Sequence, residues 1–116
     1  VAAQDWRRDV AVPEVTADHC AAALQTVRRD PPLVQCLTNI VATGWTANAL
    51  LAVGAAPAMV DNPEEAADLA TVVRGVLVNL GAPYPASARA VVEAVGSADR
   101  ARAPWALDPV AAGGLA

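Results

Sequence analysis

Lysine does not occur in this chain of 116 residues, and every one of its basic residues is Arg. That removes phosphate-binding loops built on a Lys and Schiff-base catalysis. Cysteine is scarce: Cys20 and Cys36 are the two, and His19 is the one histidine. They stand too far apart, with too few imidazole partners, for a zinc site. Both cysteines are expected to be reduced, buried and hydrophobic in role. No apolar run reaches the ~18 residues needed to span a bilayer. Asp5, Arg7, Arg8 and Asp9 occupy the place where a signal peptide would carry its apolar stretch, so a cytoplasmic protein is expected. Basic charge is also short. The net charge of −4 argues against a nucleic-acid partner, because phosphate binding needs a basic face.

Apolar residues make up 55% of the chain. That is enough for one domain with its own core. Residues 1–15 show no clear period and are expected to form an N-terminal arm. Residues 16–116 carry the periodic pattern. A helix is expected from Thr16 or Asp18 to Asp30, with Ala21, Leu24 and Val27 on its apolar face and Arg28 and Arg29 suiting its C-terminal dipole. Asp30-Pro31-Pro32 stops it.

Leu33 to Leu37 reads as a strand buried on both faces. A helix from Thr43 to Val53 follows, with Trp45, Ala49, Leu50 and Val53 at helical spacing and Gly54 as its terminator. Ala58 to Val60 reads as a second strand. Asn62-Pro63-Glu64-Glu65 opens a helix with a cap, a proline at the first position and Glu65 placed for a capping box. Gly75 to Gly81 is the clearest strand. Ala86 to Ala98 reads as a helix with Val91, Val92 and Val95 inward, and Pro104 to Leu107 as a fourth strand. Alternating strands and helices imply crossovers and a mostly parallel sheet, an α/β fold.

Polar residues cluster where these strands end, which is where open α/β sheets hold ligands. Thr38 and Asn39 can offer a hydroxyl and an amide to a small molecule, or can turn the chain and cap the next helix. Asp108, followed by Pro109 and the small-residue run Ala111 to Gly114, can place an acid near phosphate or magnesium, or can form an Asx-Pro turn. His19 fits a structural role better than a catalytic one. Asp61, Glu64 and Glu65 fit a solvated helix start, and Tyr84 an edge position. Trp45 and Trp105 fit packing positions, and Trp6 lies in the arm.

The blocks Cys36-Leu37-Thr38-Asn39, Thr46 to Ala52, Gly54 to Met59, Glu64-Glu65, Val76 to Gly81 and Leu107 to Val110 together resemble the hydroxyethylthiazole kinase family. The first three stand close together in order. The resemblance implies a ribokinase-like three-layer α/β fold, of which this chain is the N-terminal βαβαβαβ portion. It implies ATP-dependent phosphorylation of the hydroxyl of 4-methyl-5-(2-hydroxyethyl)thiazole in thiamine salvage, with Mg2+, in a homotrimer whose thiazole site lies between subunits. It implies substrate contacts from Thr38, Asn39 and Thr43, and a place near the metal and phosphates for Asp108. The family's catalytic Cys and its ATP contacts lie beyond the Asp108-Pro109-Val110 motif, so no catalytic residue is expected among these 116. Inactivity of the chain by itself is the expectation, and a non-catalytic α/β module that binds a small ligand or partner is the alternative.

Overall fold

The computed structural model describes residues 14–110. Most of the expected arm, Trp6 and the small-residue run 111–114 lie outside the described residues. Four helices and four strands follow one another as α1 (Ala17–Arg29), β1 (Leu33–Leu37), α2 (Thr43–Val53), β2 (Ala56–Ala58), α3 (Pro63–Ala70), β3 (Gly75–Asn79), α4 (Pro85–Ala101) and β4 (Trp105–Asp108). The strands form one parallel sheet in the order β2-β1-β3-β4. The α/β class read from the alternation of elements is the class observed.

Right-handed crossovers fix the layers. The chain steps from β1 outward to β2, then back across β1 to β3 and on to β4. The reversal places α2 on one face and α3 with α4 on the other. Helix α1 packs beside α2, and α3 beside α4. The switch in direction falls between β1 and β3, and a crevice opens there at the strands' carboxyl ends.

The α3/α4 face holds most of the core. Leu37, Val76 and Val78 point into it from the sheet, and Ala66, Ala70, Ala90, Ala94 and Ala98 meet them from the helices. Val78 is fully enclosed, a burial that stabilises by roughly 1.5–3 kcal/mol. Ala90, Ala94 and Ala98 recur every four residues, so they form one stripe along α4. A methyl-only stripe lets α3 and α4 approach closely. Val92, expected inward, is 71% exposed; the alanines occupy the inner face, and only Val91 and Val95 flank it.

The opposite face is thinly covered. Neither α1 nor α2 contains a buried residue. Leu24 and Val27 are half-buried while Ala21 and Cys20 are exposed, so the expectation of burial holds for Cys36 and fails for Cys20. Trp45 and Trp105, expected to pack, stand exposed instead: the first projects from α2 and the second lies on the edge strand.

Local chemistry explains the boundaries. Thr16 Oγ1 accepts the His19 N–H, while His19 Nδ1 accepts the Thr16 N–H, so the single histidine is half of a reciprocal cap. Gly54 ends α2 at φ +102°, a conformation glycine adopts without penalty. Asn62 Oδ1 accepts the Glu65 N–H and Pro63 opens α3. The second strand lies two residues earlier than expected. Ala56, Pro57 and Ala58 pair with Leu33, Val34 and Gln35. Proline is tolerated there because β2 is an edge strand. Helix α4 runs on to Ala101 and stops at Arg102, which is left-handed at φ +57°.

Candidate functional site

The crevice at the β1/β3 switch encloses about 310 Å³. Its floor is Thr38, Asn39 and Asn79. Its apolar walls are Leu37, Ile40, Val41, Leu80 and Val91, and Asp61, Tyr84 and Ser87 stand along its rim. Parallel strands bring this about: they all present their carboxyl ends on one side, and the reversal of winding keeps a helix from covering the gap.

A line of side-chain hydrogen bonds ties the strand ends together. Asn39 Nδ2 donates to Asn79 Oδ1 at 3.0 Å, and Asn79 Nδ2 donates to Asp108 Oδ2 at 3.1 Å. Backbone groups set its direction. Asn39 Oδ1 accepts the Ala42 N–H at 2.9 Å, and Asn79 Oδ1 accepts the Gly81 N–H at 2.9 Å. Asp108 Oδ1 accepts the Val110 N–H at 2.8 Å. Among the described residues, each carboxamide therefore keeps one unpaired N–H, and each carboxylate oxygen keeps a lone pair, for a ligand or water.

Both readings of Asn39 and Asp108 apply together. Asn39 turns the chain into α2, which lacks a side-chain cap of its own from Ala42. Asp108 closes a tight turn onto Val110, whose φ of +54° is strained for a β-branched residue. Each also faces Asn79. Thr38 lines the crevice, and its Oγ1 is buried with no hydrogen-bond partner among the described residues. An orphaned hydroxyl at the floor of a ligand-sized cleft is what a site awaiting a polar ligand atom presents.

Thr43 lies apart. Its Oγ1 donates to the Asn39 carbonyl at 2.9 Å inside the first turn of α2, and it is not part of the crevice wall. Asn79, Gly81, Tyr84 and Asp61 line the crevice although the sequence reading assigned none of them to a ligand. Asn79 carried the one available signal, a polar residue near a strand's carboxyl end.

The rim is acidic. Asp61 lines the crevice and Asp108 stands beside it, while no Arg or His belongs to the wall formed by the described residues. No group of three or more His, Cys, Asp or Glu placed to hold a metal occurs among the described residues. A single carboxylate suits Mg2+ that arrives with substrate phosphates and keeps several waters, and Asp108 meets that requirement with its remaining lone pairs. No helix among the described residues is long and apolar enough to cross a membrane.

Known proteins share the sequence and the fold of this chain. A hydroxyethylthiazole kinase from Cutibacterium acnes is 54% identical over 93 residues, covering 80% of this chain and 34% of its own length. One from Kineococcus radiotolerans is 56% identical over 106 residues, covering 91% of this chain and 38% of its own. The solved structure of hydroxyethylthiazole kinase protein from Pyrococcus horikoshii OT3 superposes with a TM-score of 0.76 at 40% identity, over 79% of this chain and 36% of that one. The chain thus spans about a third of the length of the relatives it matches. The model of the hydroxyethylthiazole kinase family matches residues 24–116, and this chain belongs to that family.

Proposed function

We propose that this chain supplies the thiazole-binding part of an ATP-dependent kinase that phosphorylates the hydroxyl of 4-methyl-5-(2-hydroxyethyl)thiazole, a step of thiamine salvage in the cytoplasm. The observation that carries the reading is the Asn39–Asn79–Asp108 line across the carboxyl ends of three parallel strands. A heteroaromatic ring fits the apolar walls. The unpaired Thr38 hydroxyl and the free amide hydrogens of Asn39 and Asn79 suit its heteroatoms and its hydroxyl. Thr43 acts on the substrate through Asn39, whose carbonyl it holds.

Asp108 is the residue that would hold Mg2+ together with the ATP phosphates. The metal would supply neutralisation of charge on the phosphoryl group during transfer. Within the chain, Asn79 orients the Asp108 carboxylate by donating its amide to Oδ2.

Helix α2 supports association into a trimer. It has no charged residue, none of its residues is buried within this chain, and its exposed Trp45 and Leu51 suit contact with a neighbouring subunit. Ile40, Val41 and Trp45 extend its apolar surface from the rim of the crevice outward, so a neighbouring subunit seated there would close the site.

Binding without turnover is the second reading. It is favoured by the absence of any Arg or His from the crevice wall among the described residues, which leaves phosphoryl transfer without a cationic side chain. Calorimetric titration with the thiazole alcohol, run beside a phosphate-transfer assay with ATP and Mg2+, tests both. Binding with no transfer is expected of this chain alone. No binding overturns the crevice as the thiazole site, and transfer by these residues unaided overturns the reading of the chain as the binding part alone.

A further inference from the structure

Among the described residues, Gln35 is the one large polar side chain that is completely buried in the centre of the sheet. It sits on β1, two residues before Leu37 and on the same face. Both hydrogens of its carboxamide are used: Nε2 donates to the Val60 carbonyl and to the Ala66 carbonyl, each at 3.1 Å. Its Oε1 is buried with no partner among the described residues. A buried amide with an unsatisfied acceptor destabilises a core relative to an apolar side chain of the same shape. Packing alone therefore does not account for it.

The position of its two partners does. Val60 closes the segment that leaves β2, and Ala66 lies inside α3. Gln35 thus holds the chain on either side of Asp61, at Val60 in the β2–α3 connection and at Ala66 in α3. Among the described residues, Asp61 makes its side-chain hydrogen bond across the mouth of the crevice, accepting from the Tyr84 hydroxyl at 3.4 Å. Asp61 and Tyr84 belong to different crossover units, and this contact joins the two sides of the rim.

We propose that Gln35 is a positioning residue for the ligand site: from inside the core it holds the β2–α3 connection so that Asp61 meets Tyr84 and fixes the width of the crevice mouth. Gln35 touches no ligand itself. The inference rests on the crevice being the ligand site only for its effect on affinity; its effect on Tyr84 does not depend on that.

Tyr84 is the single tyrosine of the chain, so a 13Cζ label on tyrosine gives one assigned signal at the rim. Asp61→Ala is expected to move that signal, and Gln35→Met to move it to the same position. Ala98→Gly, which loosens α4 about 20 Å of helix away from Tyr84, is expected to leave it in place. A Tyr84 signal that stays at its wild-type position in Gln35→Met, or one that moves equally in Ala98→Gly, overturns the proposal. So does a signal that ignores Asp61→Ala. If Gln35→Met does not fold, hydrogen exchange in the wild type decides. Slow exchange of both Gln35 Nε2 hydrogens is expected, and exchange at the rate of a solvated amide overturns the clamp. In calorimetry with the thiazole alcohol, Gln35→Met is expected to weaken binding about fivefold, the loss of roughly one hydrogen bond's worth of order. Failure of the wild type to bind removes the functional reading and leaves the Tyr84 comparison to decide the positioning.

Discussion

Asn39 and Asn79 face each other across the ends of β1 and β3, and the contact runs in one direction: the Asn39 amide donates and the Asn79 carbonyl oxygen accepts. The polarity is imposed from both ends. The Ala42 N–H takes the Asn39 oxygen, and the Asp108 carboxylate, which only accepts when ionised, takes the Asn79 amide. Asn79 therefore transmits the orientation of Asp108 to the floor of the crevice.

Asn79→Ala removes three contacts at once, to Asn39, Gly81 and Asp108. A loss of about 1–3 kcal/mol is expected, less than the sum of three bonds because the site is open to water. Urea denaturation measures it. Calorimetry with the thiazole alcohol is expected to show weaker binding than the stability loss alone explains, since Asp108 and Asn39 both lose their reference partner. Unchanged affinity would separate Asn79 from the ligand site.

Gly81 borders the same contact from above. A Cβ built there would overlap the Asn39 amide and stand 3.0 Å from Asn79 Oδ1. Gly81→Ala is thus expected to push the Asn39 carboxamide off Asn79 while leaving the core intact. Circular dichroism should remain that of the wild type, and affinity for the thiazole alcohol should fall about tenfold, the equivalent of ~1.4 kcal/mol. Wild-type affinity would show that the crevice floor tolerates the displacement.

Much of this architecture is legible in the residues themselves. Alternation, caps and glycine stops locate all eight elements, and Thr38, Asn39 and Asp108 are found at strand ends. Three features escape a linear reading for physical reasons. The inner face of α4 belongs to Ala90, Ala94 and Ala98 because close helix approach selects small side chains, whereas hydrophobicity ranks Val92 above them. Strand β2 is set by pairing with Leu33 to Gln35, and Met59 and Val60, equally apolar, fall outside the ladder. The role of Asn79 depends on the register that brings it level with Asp108, a relation between residues 29 positions apart.

The alanine stripe carries its own test. Ala94 is fully enclosed where α4 packs near α3 and the sheet. Ala94→Leu adds three carbons at a fully buried position, and a loss of about 1–3 kcal/mol is expected. Val92→Leu, at an exposed position on the same helix, is expected to stay within about 0.5 kcal/mol. Thermal unfolding of the two variants side by side checks the assignment of the helix faces. Reversal of their order would place the valine inward after all.

Burial raises the Cys36 thiol above its ordinary range, because the thiolate would be desolvated. The folded chain keeps that proton to higher pH than the unfolded chain does. Its contribution is fully present below the unfolded thiol value of about 8.5, and it is lost as pH rises from there through the higher folded value. The urea midpoint is expected to fall over that window, and to fall less in Cys36→Ala. In the native state at neutral pH, exposed Cys20 should react with iodoacetamide well before Cys36. Equal alkylation rates would contradict the buried placement.

Trp45 gives the sharpest test of association. It is 82% exposed on an uncharged helix, and Ile40 and Val41 at the crevice rim are 92% and 85% exposed. Large apolar side chains exposed so near one another in sequence suit a partner surface. Trp45→Arg places a charge at its centre without touching the core, since no residue of α2 is buried. Sedimentation velocity is expected to show concentration-dependent association of the wild type and a shift towards monomer in the variant, with circular dichroism unchanged. Because Ile40 and Val41 also wall the crevice, ligand affinity should fall with the loss of association, and the loss should shrink as protein concentration is raised. A wild type that stays monomeric at its highest soluble concentration would leave the crevice to function with a single chain's walls. Trp45→Arg should then bind the thiazole alcohol as the wild type does.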